Sequence, residues 1–416
     1  MGNVLANPNR TLLMKTTVRL QLSVMMFLQY FIWGSWFVTL GTFLTNTLKF
    51  DGAQVGLAYS TTNLAAMIAP LFVGMIADRF FSSEKVLATL HLMGAVFLYL
   101  ASTQQTWGLF FGAIMAHTLC YMPTMALTNS IAFGQMKDAG KEFPGIRVLG
   151  TIGWIAAGVL IGKLHQEASS VPMLVGAGAS LALALFSLTL PHTPPKSKGQ
   201  RVSLGDVIGL PALRLFKDPS FSMFALGSFL VCIPLAFYYN FTNLYLTEVN
   251  ISEPAYKMTF GQMSEIFFML VMPFFFTRLG VKKMLLVGIA AWAARYFLFA
   301  YGNGGALAWM LIMGVVLHGI CYDFFFVTGQ IYVDRQASPE IRSAAQGLVA
   351  FLTYGAGMYV GSLISGVVLK KYTAIPPAVG HQWQTIWIIP AIGAVAILLL
   401  FAATFHEKKA VAAKSL

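Results

Sequence analysis

Two carboxylates lie inside long apolar runs of this chain. Glu265 stands in FGQMSEIFFMLVMPFFF and Asp323 stands in LHGICYDFFFVTG. An ionisable side chain at membrane depth is costly, and it usually faces the interior of a helix bundle or a water-filled path. A buried carboxyl group also holds a proton more readily than an exposed one. Both residues are therefore candidate proton carriers, with Glu265 first and Asp323 second.

Residues with binding chemistry recur at helical spacing in two places. Arg147, Thr151 and Trp154 are spaced i, i+4 and i+7, so they share one helix face. A cation, a hydroxyl and an indole on one face suit a ligand that joins a ribose to a base. The alternative is that Arg147 anchors its helix at the cytoplasmic surface and that Trp154 only packs. Gln262 and Glu265 are spaced i and i+3, where an amide beside a carboxylate can bind a hydroxyl or a base edge.

His318 and Tyr322 form a third pair, one helical turn apart, whereas the adjacent Asp323 must point elsewhere. Histidine titrates near neutral pH, but a lone histidine is more often a structural, hydrogen-bonded residue. For Asp323, the alternative to proton carriage is a structural hydrogen bond that caps or pins its helix. Arg295, a further charge in an apolar run, either extends outward to the membrane surface or ties its helix to a neighbour.

The composition indicates a membrane protein. Hydrophobic residues make up 57% of the 416 residues and charged residues only 10%, against about a quarter charged in soluble domains. About twelve apolar stretches are long enough to cross a bilayer as helices, which takes roughly 20 residues each. They do not alternate apolar and polar residues as barrel strands do. The predicted spans are 20–46, 54–79, 85–103, 107–135, 147–166, 172–190, 218–247, 256–277, 283–301, 304–333, 342–369 and 383–405.

The net charge of +12 is explained by membrane topology. An even number of spans puts both termini on one side, and most Lys and Arg residues lie on that side. Because cytoplasmic loops carry an excess of positive charge, both termini are predicted to be cytoplasmic. A nucleic-acid partner is therefore not expected. The basic residues on the opposite side are Lys49, Lys163, Lys257, Lys370 and Lys371.

The chain divides into two similar halves. A Pro-rich, basic stretch separates the sixth and seventh predicted spans. The prediction is an N-terminal six-helix half (1–190), a cytoplasmic connecting loop (191–217) and a C-terminal six-helix half (218–416). Loops 74–87 and 275–285 carry basic residues at corresponding places in the two halves. Two six-helix halves related by an axis along the membrane normal are the arrangement of major facilitator transporters.

The loop 74–87 resembles the signature of that superfamily. Gly74, Asp78, Arg79 and Lys85 match it in type, but its central Gly-Arg-Lys part is absent. An ordinary positively charged loop is the alternative.

The sequence indicates no second chemistry. Cys120, Cys232 and Cys321 fall in three different predicted spans without metal-ligand spacing, so we expect small buried side chains. There is no phosphate-binding loop and no zinc-protease helix. We therefore expect no metal, no cofactor and no ATP-driven transport by this chain alone. An enzyme is not expected, because no catalytic constellation is visible.

Several segments resemble bacterial nucleoside:proton symporters of the major facilitator superfamily. They include EFPGIRVLGTIGW (142–154), GQMSEIFF (261–268) and YDFFFVTG (322–329), and the resemblance extends nearly end to end. It implies an all-α membrane protein with twelve transmembrane helices in two six-helix halves around a central cavity. It also implies proton-coupled import of nucleosides across the bacterial inner membrane by alternating access, with nucleoside, protons and lipid as partners. We expect a monomer.

The resemblance assigns roles to single residues. In the family, nucleoside contacts come from an Arg, a Thr and an aromatic in the fifth span, from polar residues in the seventh and eighth, and from an aromatic pair in the tenth. His318 stands where a Tyr is expected. The substrate-binding places are held here by Arg147, Thr151, Trp154, Gln262, Glu265, His318 and Tyr322, and the proton-coupling places by Glu265 and Asp323.

The seventh span departs from the family pattern. Ala236 and Tyr239 stand where a Gln and an Asn are expected. We expect Tyr239, Asn240 or Asn243 to supply a compensating contact, and the substrate profile to be shifted from the usual breadth of the family. The alternative function is a proton-coupled symporter of a sugar or another small polar metabolite, with the same carboxylates and a different cavity.

Overall fold

The computed structural model describes residues 14–79, 81–195, 210–338, 341–374 and 380–407. Every regular element in these ranges is a helix, and one isolated bridge joins Thr373 to His381. Outside the described part lie residues 1–13, residues 196–209 of the predicted connecting loop, residues 408–416 and the side chains of the signature residues Gly74, Asp78 and Arg79.

The N-terminal part of the chain, residues 14–195, is a series of apolar helices with short connections. Its helices are α1 (Thr16–Trp36), α2 (Leu40–Asn46), α3 (Gly52–Arg79), α4 (Ser83–Thr103), α5 (Trp107–Gly134), α6 (Ala139–Leu164) and α7 (Val171–Ser187). Local sequence sets the ends of α6. The Asp138 side chain accepts a hydrogen bond from the Lys141 amide at its start, and His165 adopts a left-handed conformation at its end.

The C-terminal part, residues 210–407, begins with a 3-10 helix, Leu210–Lys217. Asp218 then caps the next helix by accepting from the Ser220 amide at 2.9 Å, and Pro219 takes the first helical position. The helices that follow are α8 (Pro219–Glu248), α9 (Pro254–Tyr301), α10 (Ala308–Val316), α11 (His318–Tyr322), α12 (Thr328–Gln336), α13 (Arg342–Ala350), α14 (Met358–Lys371) and α15 (Trp383–Thr404).

The hydropathy and length of these segments fit a membrane protein. In the described ranges, 9 helical segments are long and apolar enough to cross a bilayer, and Val171–Ser187 is a shorter apolar helix. One of the 9, α9, has 48 residues. At 1.5 Å per residue it is more than twice the roughly 30 Å thickness of the hydrocarbon core. Gly280, whose φ of 69° suits a residue without a Cβ, divides α9 into two arms, where the sequence predicts two separate spans.

The predicted tenth and eleventh spans are helical but not regular. A π-helical segment, Asp323–Val327, separates α11 from α12, and a second, Phe351–Gly357, separates α13 from α14. Such segments are rare and occur often at functional sites, because they redirect side chains and free backbone groups. The first of them begins at Asp323, one of the two predicted proton carriers.

Buried polar side chains tie the helices of the N-terminal part together. His91 Nε2 lies 2.9 Å from Gln29 Oε1, and His91 Nδ1 lies 3.1 Å from Ser180 Oγ, which joins α4 to α1 and α7. His117 Nδ1 lies 2.8 Å from the Gly94 carbonyl oxygen. Polar groups that cannot reach water must find partners inside the bundle. Both histidines therefore hold neighbouring helices together.

Arg295 settles a choice that the sequence leaves open. Its side chain is fully buried, and its Nε donates to the Gly314 carbonyl oxygen at 2.9 Å. The residue therefore ties α9 to α10, and the interpretation that it extends outward to the membrane surface is wrong. The three cysteines are free and buried, as predicted.

The N-terminal and C-terminal parts meet at one end of the molecule. We call this the far end, and it carries loops 47–51, 165–170 and 249–253, whereas the described chain begins and ends at the opposite end. Each contact at this end joins a helix or loop of the N-terminal part to a helix or loop of the C-terminal part. Among the polar bonds are Thr42 Oγ1 to Asn243 Oδ1 (2.6 Å), Lys163 Nζ to Glu253 Oε1 (2.9 Å) and Lys370 Nζ to Asp51 Oδ2 (2.8 Å).

Small residues allow the two parts to close at this end. A Cβ at Gly56 in α3 would meet the backbone of Ser362 and Gly366 in α14. Backbones that approach so closely need residues without side chains. Gly112 in α5 offers a contrast, because a Cβ there would meet nothing within 4 Å.

We predict that Gly56→Leu opens the far end. The added side chain clashes with the α14 backbone only in the closed arrangement, at a cost of about 1–3 kcal/mol. A cysteine at Thr42 should then react faster with a membrane-impermeant thiol reagent applied from the far side. Gly112→Leu in the same Thr42→Cys background is the control. Equal labelling of the two variants would contradict the closure described here.

Candidate functional site

A cavity of about 430 Å³ lies between the two parts. Its size is in the range of pockets that hold small molecules. Side chains from α1, α3, α5 and α6 line it on one side, and side chains from the C-terminal part line it on the other. Every residue predicted to bind substrate faces it, namely Arg147, Thr151, Trp154, Gln262, Glu265, His318 and Tyr322.

The α6 wall presents the predicted cation, hydroxyl and indole together. The guanidinium carbon of Arg147 lies 4.1 Å from the centre of the Tyr30 ring, a cation–π contact that holds the charge beside the cavity. The Trp154 indole meets Trp33 edge to face, with ring centres 5.3 Å apart. Close packing of α6 on α1 makes this possible, since a side chain at Gly153 would collide with the Phe27 backbone.

The opposite wall carries Gln262 and Glu265 on α9. The Glu265 side chain is 17% exposed, and its Oε2 lies 3.9 Å from His318 Nε2. In the described ranges no Lys or Arg forms an ion pair with it. A carboxyl group in this position can exchange a proton with the cavity, because it is neither paired with a Lys or Arg among the described residues nor sealed from water.

Aromatic side chains complete this wall. His318 is 1% exposed and stacks on Tyr238, with ring centres 5.2 Å apart and an angle of 17° between the planes. The Tyr239 hydroxyl lies 3.4 Å from His318 Nε2. The hydroxyls of Tyr322 and Tyr354 are 2.8 Å apart and form a hydrogen bond between α11 and the second π-helical segment. Polar tips and ring faces thus point at the same space.

Asp323 is placed differently from Glu265. It is fully buried and does not line the cavity. Neither of its carboxyl oxygens has a hydrogen-bonding partner within the described residues. The structural alternative, a side-chain hydrogen bond that caps or pins the helix, is therefore not formed in this conformation.

The residues predicted to compensate for the unusual seventh span separate into two groups. Tyr239 lines the cavity. Asn240 and Asn243 do not, because Asn240 Nδ2 donates to Ser365 Oγ at 3.2 Å and Asn243 accepts from Thr42 at the far end. In this conformation both amides join α8 to neighbouring helices, and the predicted contact with substrate stays a prediction.

Ala236, the other departure in the seventh span, also lies away from the cavity. It is fully buried, and a Cβ at Gly361 would touch its side chain. A larger residue at this position would meet α14 rather than a ligand.

The cavity also contains residues that the sequence did not single out. Tyr30, Phe37, Asn63 and Tyr354 are among them. Asn63, which donates to Ser362 Oγ at 3.2 Å, carried a usable signal, because it is an amide inside an apolar span. The aromatic residues and several methionines carried no such signal, because residues of these types occur at most helix contacts in this chain. The remaining lining residues are Trp33, Thr62, Ala66, Met122, Met125, Ala126, Tyr239 and Met358.

Comparison with known proteins identifies the family. The family model described as nucleoside H+ symporter matches residues 14–410. The chain belongs to this family. YegT of Escherichia coli (strain K12), which is named as a provisional nucleoside transporter, is 44% identical over 406 residues. The match covers 95% of this chain and 95% of YegT. The nucleoside permease NupG of the same organism is 35% identical, with 94% of this chain and 96% of NupG covered.

A further relative and a solved structure agree with this result. The xanthosine permease of E. coli (strain K12) is 35% identical over 400 residues, with 92% of this chain and 95% of the permease covered. The crystal structure of NupG matches with a TM-score of 0.86 at 34% identity, covering 94% of this chain and all of that one. The predicted family and the class of transporters rather than enzymes are confirmed, and the fold is that of the NupG structure.

Proposed function

We propose that this protein imports nucleosides together with protons across the bacterial inner membrane by alternating access. The observation that carries the proposal is the cavity between the two parts of the chain. One wall offers Arg147, Thr151 and Trp154, and the facing wall offers Gln262 and Glu265. A nucleoside has a flat base and several hydroxyl groups, and these two walls provide an aromatic face and hydrogen-bonding groups for both.

The proposed roles follow from the chemistry of each side chain. Trp154 stacks on the base, and Arg147 and Thr151 bond to oxygens of the ligand. Gln262 bonds to a hydroxyl or a base edge, while His318 and Tyr322 close the site. The hydroxyl of Tyr239 faces the same space, so it is the compensating contact that we favour for the seventh span.

Glu265 is the proposed proton carrier. It lies at the cavity, so substrate and proton meet in one place, as coupling requires. Asp323 is the second candidate, because its carboxyl group is buried without a partner among the described side chains. A single proton moving down a membrane potential supplies ~2.3 kcal/mol per 100 mV, enough for roughly fifty-fold accumulation.

We infer twelve membrane crossings in two six-helix halves. Gly280 turns the 48 residues of α9 into two crossings. The helices Gly52–Arg79 and Val171–Ser187 add two crossings to those of the 9 segments that are long and apolar enough to cross a bilayer. The halves are residues 1–190 and 218–416, with the connecting loop 191–217 on the cytoplasmic side. A monomer is sufficient, because a single chain lines the whole cavity.

The proposed orientation places both termini in the cytoplasm, as the distribution of Lys and Arg favours. The far end then faces the periplasm. Since the two parts are bonded to each other there, the conformation described here is closed to the outside. Alternating access requires that the contacts at Thr42, Lys163 and Lys370 break when the cavity opens outward.

Uptake of a panel of radiolabelled nucleosides, free bases and sugars tests the function. We expect nucleosides to be accumulated by cells that lack their own nucleoside permeases and carry this protein, and not by cells with the empty vector. Collapse of the proton gradient should reduce the uptake to equilibration. If sugars compete for uptake and nucleosides do not, the alternative of a sugar symporter replaces this proposal.

We predict that Glu265→Gln abolishes accumulation and spares exchange. The amide keeps the shape of the side chain but cannot carry a proton, so substrate can cross without being concentrated. Counterflow in proteoliposomes should persist, while the accumulation ratio falls from roughly fifty-fold per 100 mV to about one. Asp334→Asn is the control, because Asp334 pairs with Arg342 at 3.0 Å outside the cavity. A Gln variant that still concentrates substrate would remove Glu265 from this role.

We predict that Arg147→Ala weakens nucleoside binding at least about tenfold. A hydrogen bond to a charged group contributes ~1.5–3 kcal/mol, and this variant removes the donor. Binding is measured by calorimetry on purified protein whose thermal unfolding matches the wild type. The control is Arg278→Ala, since Arg278 stacks on Phe274 outside the cavity. Unchanged affinity in a folded Arg147→Ala protein would favour the role of a membrane-surface anchor.

A further inference from the structure

A buried cation in the C-terminal part has no role in the function proposed above. Arg295 is fully buried, its Nε donates to the Gly314 carbonyl oxygen, and its side chain also lies beside the Tyr296 hydroxyl. Neither Nη atom has a hydrogen-bonding partner in the described part of the chain. A guanidinium stays charged in proteins, and a buried charge without an ion pair is expensive. The hydrogen bond that ties α9 to α10 uses only one of its five donors.

A continuous stack of side chains leads from this cation to Glu265. The guanidinium carbon lies 4.1 Å from the centre of the Tyr238 ring. The Tyr238 ring in turn stacks on the His318 ring, and the two ring centres are 5.2 Å apart. His318 Nε2 then lies 3.9 Å from Glu265 Oε2. Tyr238 and His318 are both buried, so the charge acts across packed side chains rather than across bulk water.

We propose that Arg295 is a positioning residue for proton release, whose charge acts through Tyr238 and His318 to stabilise the carboxylate of Glu265. The inference rests on the proposed proton coupling through Glu265. In the step concerned, the O–H bond of the Glu265 carboxylic acid breaks and the proton passes to water in the cavity. A new O–H bond forms on that water molecule, and no other bond changes. The cation makes the resulting negative charge less costly at membrane depth.

Arg147 cannot supply the same effect in every state. It stands on α6, in the N-terminal part, and faces Glu265 across the cavity. Its separation from Glu265 changes when the parts move or when a substrate enters between them. Arg295 and Glu265 stand on the two arms of α9 that Gly280 separates, and both contact residues of α11 or its neighbour α10. Both belong to the C-terminal part, so a movement of the N-terminal part does not by itself separate them.

Other titratable groups surround both Arg295 and Glu265. Arg295 is faced by Tyr238 and Tyr239 of α8, by Tyr296 of its own helix and by His318 and Cys321 of α11. Those around Glu265 are His318, Tyr238, Tyr239, Tyr322, Asp323, Arg147 and Tyr30. Arg147 is a second cation near Glu265, and it is unchanged in every Arg295 variant compared below.

The test compares Arg295→Met with Arg295→Lys in proteoliposomes. Methionine removes the charge at similar volume, and apolar replacement of a buried ion is often tolerated; lysine keeps the charge. Removal of a positive charge makes a nearby carboxylate more costly, so the carboxylic acid keeps its proton to a higher pH. For Arg295→Met we therefore expect the alkaline limit of proton-driven nucleoside uptake to move to higher pH. Substrate counterflow, which needs no proton release, should persist. Arg295→Lys should keep the wild-type pH profile.

The possible results separate this inference from the proposed function. A wild-type pH profile in Arg295→Met, with accumulation lost in Glu265→Gln, overturns the role of Arg295 and leaves the function intact. Normal accumulation in Glu265→Gln overturns the coupling proposal itself. Arg295→Gln is the second neutral variant if methionine does not fold. If neither neutral variant folds while lysine does, the charge is structural and the inference is wrong. An equal loss in the methionine and lysine variants also overturns the inference, because the charge is then not what matters.

Discussion

A carboxyl group held inside an apolar helix is the constraint on which the rest of this structure depends. Water is scarce at that depth, so each polar group needs a partner within the bundle or a place at a hydrated surface. Glu265 lies at a hydrated surface, because it lines the cavity and remains 17% exposed. His91 and Asn240 instead have partners within the bundle, because hydrogen bonds join them to neighbouring helices. The cavity and the polar ties are thus two answers to one physical demand.

The same demand explains how the two parts of the chain can separate. Inside each part, large aromatic side chains and polar ties hold the helices together. Between the parts, the far end is joined by glycine contacts and by a few polar bonds, such as Lys163 with Glu253. Exposed ion pairs contribute only about 0–1 kcal/mol, and small residues form no interlocked side chains. The joint is close enough to exclude a substrate and weak enough to open.

Irregular backbone occurs where side chains of the site are placed. The π-helical segment that starts at Asp323 follows directly after His318 and Tyr322, and the second one carries Tyr354. Insertion of a residue into a helical turn rotates the side chains on either side of it. The Tyr322–Tyr354 hydrogen bond joins the two irregular helices at the cavity. A regular helix would present different residues to the ligand.

Local patterns in the sequence determined the membrane class, most helix positions and the shared face of Arg147, Thr151 and Trp154, because hydropathy and helical spacing act over a few residues. The family followed from longer segments. Tertiary structure alone decided that Asn240 and Asn243 join helices while Tyr239 faces the cavity, although all three lie within five positions. It alone also showed Gly280 interrupting a single helical segment, and Arg295 buried against Tyr238 rather than extended outward. The direction of a side chain depends on the helix packed beside it, and that helix comes from a distant part of the chain.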